Sequence, residues 1–177
     1  MGCEMGLIHV YCGDGKGKTT ASIGLAIRAS GSGMKVVFLQ FLKGRHVSEL
    51  DSLKLIPNIT VLRNDKDFGF YYTMDDKVKA EITKIHNENL NIAIGRVEAG
   101  LCDMLILDEI TSTYNYQLID TKVVDCLIIN KKSELELVLT GREPNHLFIE
   151  YADYVSEIKK IKHPYDKKIA ARKGIEL

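Results

Sequence analysis

Short apolar runs alternate along the chain with longer segments whose apolar positions recur at helical spacing. The predicted strands are 6–11, 34–41, 58–63, 103–109, 135–141 and 154–163, and the predicted helices are 19–30, 47–55, 74–100, 121–131 and 146–152. Strands that alternate with crossover helices indicate a parallel sheet covered on both faces. The nearly continuous apolar runs VVFLQF and MLIL are typical of strands buried on both faces. The pattern therefore predicts an α/β fold with a mostly parallel central sheet.

Composition narrows the class of protein. A length of 177 residues favours one domain over 1–177. The 24 basic and 24 acidic residues give a formal charge of zero, so no broad electrostatic footprint for nucleic acid is expected. The 4 cysteines form no CxxC pair, and we find no secretory signal or membrane span. These features predict a reduced, cytoplasmic protein with neither nucleic-acid nor membrane partners, in which most cysteines are buried.

A glycine-rich loop, GDGKGKTT, lies between the first strand and the first helix. This order places backbone N–H groups and a helix N-terminus around one point, which suits a polyphosphate. Lys18 is expected to neutralise phosphate oxygens and Thr19 to bind Mg²⁺, with Lys16 as a second cation. The usual spacing would need glycine at position 12, where this chain has Cys12, which we expect to be open to alkylation. The predicted nucleotide-binding residues of the loop are Gly13, Asp14, Gly15, Lys16, Gly17, Lys18, Thr19 and Thr20.

Two further strands carry polar residues at their carboxyl ends. DMLILDE ends in Asp108 and Glu109, and parallel sheets bind ligands at that edge. Either acid is a candidate to hold Mg²⁺ directly or through water, the alternative being that it caps the next helix. Arg142 follows LVLTG at the same edge and is a candidate clamp for phosphate or ribose, the alternative being an exposed loop arginine.

Six motifs together resemble the P-loop class of ATP:corrinoid adenosyltransferases: YCGDGKGKTTASIGLAIRASG, VVFLQFLKG, LILDEI, LVLTGR, ADYVSEIKKIKHPYD and ARKGIE. The resemblance covers residues 6–176, and the shortened loop is part of it. It implies a P-loop NTPase (RecA-like) fold. It also implies transfer of the 5′-deoxyadenosyl group of ATP to the Co(I) of a corrinoid, with triphosphate released, in adenosylcobalamin synthesis or salvage. Lys18, Glu109 and Arg142 are then the expected catalytic residues.

The resemblance also implies a corrinoid site. Phe70 and Tyr72 of DFGFYYT are expected to press on the lower face of the ring, the alternative being that these aromatics pack the core or a dimer contact. Gln40 and Lys43 of QFLKG are expected to reach the ligand. A homodimer and a flavodoxin or reduced flavin as electron source are implied as partners. Some members carry an N-terminal arm, and because few residues precede the first strand here, we expect a partner subunit or a loop to cap the corrinoid.

Two other classes of function fit parts of the sequence. A P-loop NTPase or kinase would cleave the terminal phosphate of ATP. A nucleotide-dependent switch or adaptor would bind ATP without a corrinoid. The products separate the three possibilities, because only adenosyl transfer releases triphosphate.

Overall fold

The computed structural model describes residues 5–44 and 47–175, and Cys3 and Glu176 lie outside these ranges. The strands are β1 (Ile8–Cys12), β2 (Val36–Gln40), β3 (Ile59–Arg63), β4 (Met104–Asp108), β5 (Glu136–Thr140) and β6 (Tyr154–Glu157). The helices are α1 (Lys18–Gly31), α2 (Glu49–Leu53), α3 (Asp76–Glu98), α4 (Ile110–Asn115), α5 (Thr121–Ile129) and α6 (His146–Tyr151). Two short 3₁₀ helices span Tyr71–Thr73 and Pro164–Lys167.

The strands form one six-stranded sheet in the order β3-β2-β4-β5-β1-β6, and every neighbouring pair runs parallel. Because all strands point the same way, their carboxyl ends share one edge of the sheet. The loops after β1, β2, β4 and β5 therefore meet there, and these are the loops that carry the predicted site residues. The prediction of an α/β fold with a parallel sheet is confirmed.

Helices cover both faces of the sheet, and the alternating side chains of β2 show how. Val37 and Leu39 pack with α3 and α5 on one face. Val36 and Phe38 pack with α1 and α2 on the other. All five residues of β2 and of β4 are buried, which explains why their sequences read as unbroken apolar runs. Among the helices of the described residues, none combines the length and the apolar character that crossing a membrane requires.

Two elements differ from the sequence prediction. The last strand was expected over 154–163, but β6 ends at Glu157 because the next residue turns towards the glycine-rich loop. Its backbone oxygen accepts a hydrogen bond from the amide of Gly15. The second difference is α4, a six-residue helix that starts directly after β4 and that the sequence did not predict.

The cysteines among the described residues fall into two environments. Cys12 and Cys102 are buried and Cys126 is exposed, and all three are free thiols. The expectation that Cys12 is open to alkylation is wrong, because its side chain points into the core from the last position of β1. Burial also raises the pKa of the Cys12 thiol, which disfavours the reactive thiolate.

Candidate active site

Three helices in the described part of the chain are longer than eight residues, and of these α1 alone has no side-chain cap at its N-terminus. Its N-cap is Gly17, at φ 127°, and its first turn contains no acidic residue. By contrast, Asp75, Asp120 and Asn145 cap α3, α5 and α6 by accepting a backbone N–H with their side chains. The first amides of α1 are therefore left for a ligand, and an anion is the ligand that a helix N-terminus attracts.

The glycine-rich loop is shaped by the segment that follows β6. The amide of Gly15 donates to the carbonyl of Ile158 at 2.8 Å. A Cβ at position 15 would lie 2.7 Å from that same oxygen, so only glycine allows this approach. Gly13, at φ 101°, needs glycine for its backbone conformation as well as for space. Asp14 accepts from the amide of Lys160 at 2.9 Å, and this hydrogen bond lowers the pKa of its carboxyl.

Three cationic side chains of the predicted set surround the loop. The Lys18 ammonium donates to the carbonyl of Gly15 at 2.8 Å and is buried. Burial lowers the pKa of Lys18, and Arg142 lowers it further, while Glu109 opposes the shift. Lys16 and Arg142 are exposed and line the same cavity. One buried and two exposed positive charges therefore face the cavity that an incoming polyphosphate would enter.

Asp108 lies at the centre of a hydrogen-bond network beneath the loop. Its carboxylate is fully buried and accepts from the hydroxyl of Thr19 at 2.9 Å and from that of Thr140 at 2.8 Å. The Gln40 amide donates to its other oxygen at 3.2 Å, and the Lys43 ammonium lies 3.4 Å from that oxygen. The last position of β4 thus brings residues of β2, β5 and α1 together.

Gln40 lies at the carboxyl end of β2, on the edge of the sheet where it was expected. Its side chain is buried, and it joins Asp108 to Arg63, whose guanidinium lies 3.5 Å from the Gln40 amide oxygen. Gln40 is not among the described residues that line the cavity, whereas Lys43 is. A direct contact from Gln40 to a ligand stays a prediction, and in this structure its amide orients Asp108.

Glu109 begins the turn into α4 in a left-handed conformation, at φ 62°. Its amide donates to the Thr140 hydroxyl at 3.0 Å, which fixes the turn against β5. Burial raises the pKa of the Glu109 carboxyl, and the nearby Asp108 carboxylate raises it further, while Lys43 and other cations oppose the shift. Glu109 is N-terminal to α4 but makes no side-chain cap, so the capping alternative does not describe it.

The segment that carries Lys43 is held from below by a buried histidine of α3. His86 accepts from the amide of Leu42 through Nε2 at 3.4 Å, while its Nδ1 lies 2.8 Å from the carbonyl of Leu118. Phe41 packs edge-on against the ring, with centroids 5.2 Å apart. Leu42 is left-handed at φ 60°, an unusual conformation for this residue. Burial lowers the pKa of His86, so the neutral ring suits this position.

The glycine-rich loop, Lys43, Glu109 and Arg142 line a cavity of about 720 Å³. This volume is within the range of small-molecule sites. Of the predicted residues, its walls contain Asp14, Gly15, Lys16, Gly17, Lys18, Thr19, Thr20, Lys43, Glu109 and Arg142. Other wall residues were not singled out from the sequence: Ile23, Ser48, Ser52, Ala171, Gly174 and Ile175. For the last three of these, the available signal was the motif ARKGIE, of which Ala171, Gly174 and Ile175 line the cavity.

An exposed aromatic patch consists of Phe70, Tyr71, Tyr72 and Tyr116. Phe70 is 75% exposed and Tyr72 is 84% exposed. Tyr71 instead packs on a small core cluster and stacks on Tyr116, with ring centroids 4.1 Å apart. The core-packing alternative therefore fits Tyr71 but not Phe70 or Tyr72. Tyr116 was missed by sequence reasoning, although the aromatic pair in TYNYQ, just after the acidic strand end, was an available signal.

Arg142 connects the patch with the cavity. The pKa of Tyr116 is raised by its hydrogen bond with Tyr72 and by burial, and the positive charge of Arg142 opposes this shift. The same guanidinium acts electrostatically on Lys18 and Glu109 inside the cavity. Arg142 is therefore near both the aromatic patch and the glycine-rich loop.

A parallel sheet with a glycine-rich loop after its first strand defines a P-loop NTPase fold, and solved structures agree. The cytoplasmic domain of EssC is similar, with a TM-score of 0.57 and 15% identity, over 94% of this chain and 34% of that one. A KaiC-like protein from Pyrococcus horikoshii is similar with a TM-score of 0.53 and 17% identity, over 88% of this chain and 73% of that one. At these identities the likeness concerns the fold.

Comparison of sequences identifies the family. The family model of the ATP:corrinoid adenosyltransferases BtuR/CobO/CobP matches residues 4–177. A corrinoid adenosyltransferase of Escherichia coli K12 is 32% identical over 98% of this chain and 86% of its own length. That of Salmonella typhimurium is 30% identical over 98% and 86%. The chain belongs to the ATP:corrinoid adenosyltransferase family, as the motifs predicted, and a terminal-phosphate NTPase or kinase is not favoured.

Proposed function

We propose that this chain transfers the 5′-deoxyadenosyl group of ATP to the Co(I) of a corrinoid and releases triphosphate, in adenosylcobalamin synthesis or salvage. The observation that carries the proposal is the uncapped N-terminus of α1, which opens into a cationic cavity whose Arg142 also acts on the exposed aromatic patch. A polyphosphate and a large apolar ring need these two surfaces next to each other. Family membership supports the same activity.

The reaction makes specific demands on the protein. Cobalt(I) is itself the nucleophile, so no side chain has to activate an attacking group. The chain must instead hold the ribose 5′ carbon in line with the cobalt and with the departing oxygen. It must also stabilise the charge that develops on the triphosphate, a role that fits Lys18, Lys16 and Arg142. We assign Lys18 and Arg142 to the leaving group, since both face the cavity.

The residues present fit a magnesium ion. The Thr19 hydroxyl and the Asp108 carboxylate offer hard oxygen ligands 2.9 Å apart, and Glu109 lines the same cavity. Within residues 5–44 and 47–175 no group of three or more acidic, histidine or cysteine side chains forms a metal cage. Such an incomplete set suits Mg²⁺, which commonly binds one or two protein ligands together with substrate phosphates. When bound, the ion would supply positive charge to the triphosphate oxygens.

Glu109 is proposed to help hold this ion and not to orient an attacking water, because hydrolysis would waste ATP. The Glu109→Gln variant keeps the size of the side chain and removes its charge. We expect it to need a higher Mg²⁺ concentration for half-maximal adenosylation. An unchanged magnesium dependence together with an unchanged rate would exclude this role.

Phe70 and Tyr72 are proposed to press on the lower face of the corrinoid and displace its lower axial ligand, which makes Co(II) easier to reduce. Their exposure supports the proposal, since a ring can reach both. In Phe70→Ala we expect slow adenosylation from Co(II) with a reductant, and a near-normal rate when Co(I) is supplied. Leu55→Ala, at a residue 83% exposed outside the patch, is the matched control. A normal rate from Co(II) in Phe70→Ala would refute the role.

The remaining features of the proposal concern the surroundings of the enzyme. We infer a single domain over 1–177 that acts in the cytoplasm as a homodimer, with a flavodoxin or reduced flavin as electron source. The match of one family model to almost the whole chain supports the single domain. The formal charge of zero supports the absence of a nucleic-acid partner.

The test is a spectroscopic assay under anoxic, light-protected and strongly reducing conditions. The protein is mixed with Mg-ATP and cob(I)alamin, and the decay of the Co(I) absorption is followed. Loss of that absorption, a light-sensitive alkylcobalamin and one triphosphate per turnover would support the proposal. Unchanged Co(I) with release of inorganic phosphate would identify an NTPase instead. Binding of ATP without any turnover would indicate a switch.

A further inference from the structure

Within residues 5–44 and 47–175, the buried Asp108 carboxylate has one charged partner. Thr19, Thr140 and Gln40 donate neutral hydrogen bonds to it, and the Lys43 ammonium, 3.4 Å from Oδ2, is the cation within ion-pair distance among the described residues. An ionised carboxylate is costly to bury unless a positive charge compensates it. The stability of this arrangement in the absence of ligands therefore depends on Lys43.

Lys43 reaches the same two groups that are proposed to bind magnesium. Its Nζ lies 3.5 Å from the Thr19 hydroxyl oxygen and 3.4 Å from the Asp108 carboxylate. A divalent cation between these two oxygens would come within a few ångströms of the ammonium, and like charges at that separation repel strongly in a partly buried site. The ammonium and the metal ion cannot share this position.

The backbone of Lys43 is fixed while its side chain retains room to move. Its amide donates to the carbonyl of Phe41 at 2.7 Å, and its own carbonyl accepts from the Arg63 guanidinium at 2.9 Å. The side chain is nevertheless 32% exposed and lines the cavity. Lys18 differs, because it is buried and tied to the carbonyl of Gly15. Lys43 is therefore a cavity lysine that can change partners without moving the backbone.

We propose that the Lys43 ammonium is the resident counter-cation of Asp108 in the nucleotide-free protein, and that it excludes a divalent cation until ATP draws it away. The proposal rests on the assignment of Thr19 and Asp108 as the metal-binding pair. The triphosphate of ATP offers Lys43 a new anionic partner in the cavity, and the metal that accompanies ATP replaces the ammonium at Asp108. Metal and nucleotide then enter together, and the free protein binds the metal alone only weakly.

The experiment measures Mn²⁺ binding to nucleotide-free protein by electron paramagnetic resonance, in which the signal of free Mn²⁺ is quantified. We expect weak binding by the unmodified protein and at least about tenfold tighter binding by Lys43→Met. Lys43→Arg keeps the positive charge and should exclude Mn²⁺ as the unmodified protein does. Lys66→Met removes an equal charge from an exposed pair with Glu81 and serves as the control.

The melting temperature of each variant is measured with and without Mn²⁺, which shows whether the variant folds and whether the metal stabilises it. Lys43→Met should melt lower than the unmodified protein, and Mn²⁺ should restore part of the loss, because it replaces the missing cation. If Lys43→Met does not fold, Lys43→Gln supplies a neutral side chain that can still donate to Asp108. Equal Mn²⁺ affinity of the neutral variant and the unmodified protein would overturn the proposal, as would an arginine variant that binds Mn²⁺ as tightly as the neutral one.

Failure of the metal assignment has a different signature. In the presence of ATP, Thr19→Val should weaken binding of Mn²⁺ if Thr19 is a ligand. Unchanged Mn²⁺ binding by Thr19→Val with ATP would remove the assigned metal site. A second outcome is that Thr19→Val weakens Mn²⁺ binding in the presence of ATP, while nucleotide-free Lys43→Met binds Mn²⁺ no more tightly than the unmodified protein. This outcome would keep the metal site and exclude only the role of Lys43.

Discussion

Removal of the buried His86 ring should destabilise the fold in a way that depends on pH. The ring joins three parts of the molecule, since it belongs to α3 and contacts the amide of Leu42 and the carbonyl of Leu118. Each buried polar group left without a partner costs about 1–3 kcal/mol. Because the 3.4 Å contact with Leu42 is long, we count mainly the Leu118 carbonyl and the loss of packing against Phe41. His86→Ala should therefore lower the free energy of unfolding by about 3 kcal/mol.

A matched variant separates the two polar contacts. His86→Asn places an amide N–H near the position of Nδ1 and can still donate to Leu118, while it offers nothing to Leu42. We expect it to lose about half as much stability as His86→Ala. The measurement is urea unfolding at neutral pH, with the slope of the transition checked for each variant.

The pH dependence follows from the direction of the pKa shift. Burial lowers the pKa of His86 below its ordinary value of 6.5, so the unfolded chain binds a proton more readily than the folded one. The full contribution of the neutral His86 ring to the free energy of unfolding is present above pH 6.5. It is lost as the pH falls from 6.5 through the lower pKa that His86 has in the folded protein. The slope is at most about 1.4 kcal/mol per pH unit. The stability difference between the unmodified protein and His86→Asn should therefore shrink as the solution is acidified from neutral.

Two outcomes would refute this reasoning. A free energy of unfolding for His86→Ala within about 0.5 kcal/mol of that of the unmodified protein would mean that the ring does not stabilise the fold. A difference between the unmodified protein and His86→Asn that stays constant from pH 7.5 to about pH 5 would mean that the ring is not held neutral.

Three further predictions concern other positions. Gly15→Ala should weaken ATP binding about tenfold or more by calorimetry, because its Cβ would lie 2.7 Å from the backbone oxygen of Ile158; undiminished affinity would show that this close approach is dispensable. The Thr111 hydroxyl is buried with no partner among the described residues, so Thr111→Val should leave stability unchanged or raise it by up to about 1 kcal/mol in thermal unfolding; a clear loss would reveal a hidden partner. A thiol reagent at pH 8 should label the exposed Cys126 and spare Cys102, because burial raises the pKa of the Cys102 thiol to about 12. Peptide mass mapping that found Cys102 labelled in the native protein would contradict this prediction.

Hydrophobic patterning was sufficient to predict the sheet. The fully apolar β2 and β4 indicated strands covered on both faces, and the alternation with helices indicated that they run parallel. The order of strands was beyond this reasoning, because the pattern of one strand does not specify its neighbour. The helix α4 was missed because ITSTYN is short and rich in β-branched and polar residues, which are weak helix formers.

The candidate site was predictable where a motif is local in sequence. The glycine-rich loop, the acids after β4 and Arg142 all follow a strand directly, and the structure brings them to one edge of the sheet. The roles of Asp14 and Gly15 towards the backbone at 158–160 were not predictable, since these contacts span more than 140 residues. The hydrogen bond from the Gln40 amide to Asp108 was not predictable either, because only the fold brings these two residues together.

The position of β1 between β5 and β6 has a consequence for biosynthesis. The glycine-rich loop leaves the ribosome before the two strands that flank β1 and before the residues that brace Gly15. A nascent chain therefore carries this loop sequence without the support that shapes it until β5, β6 and residues 158–160 have been made. Competence to bind nucleotide should appear only after those segments have emerged, so a translation product truncated before β6 retains the motif but lacks the site.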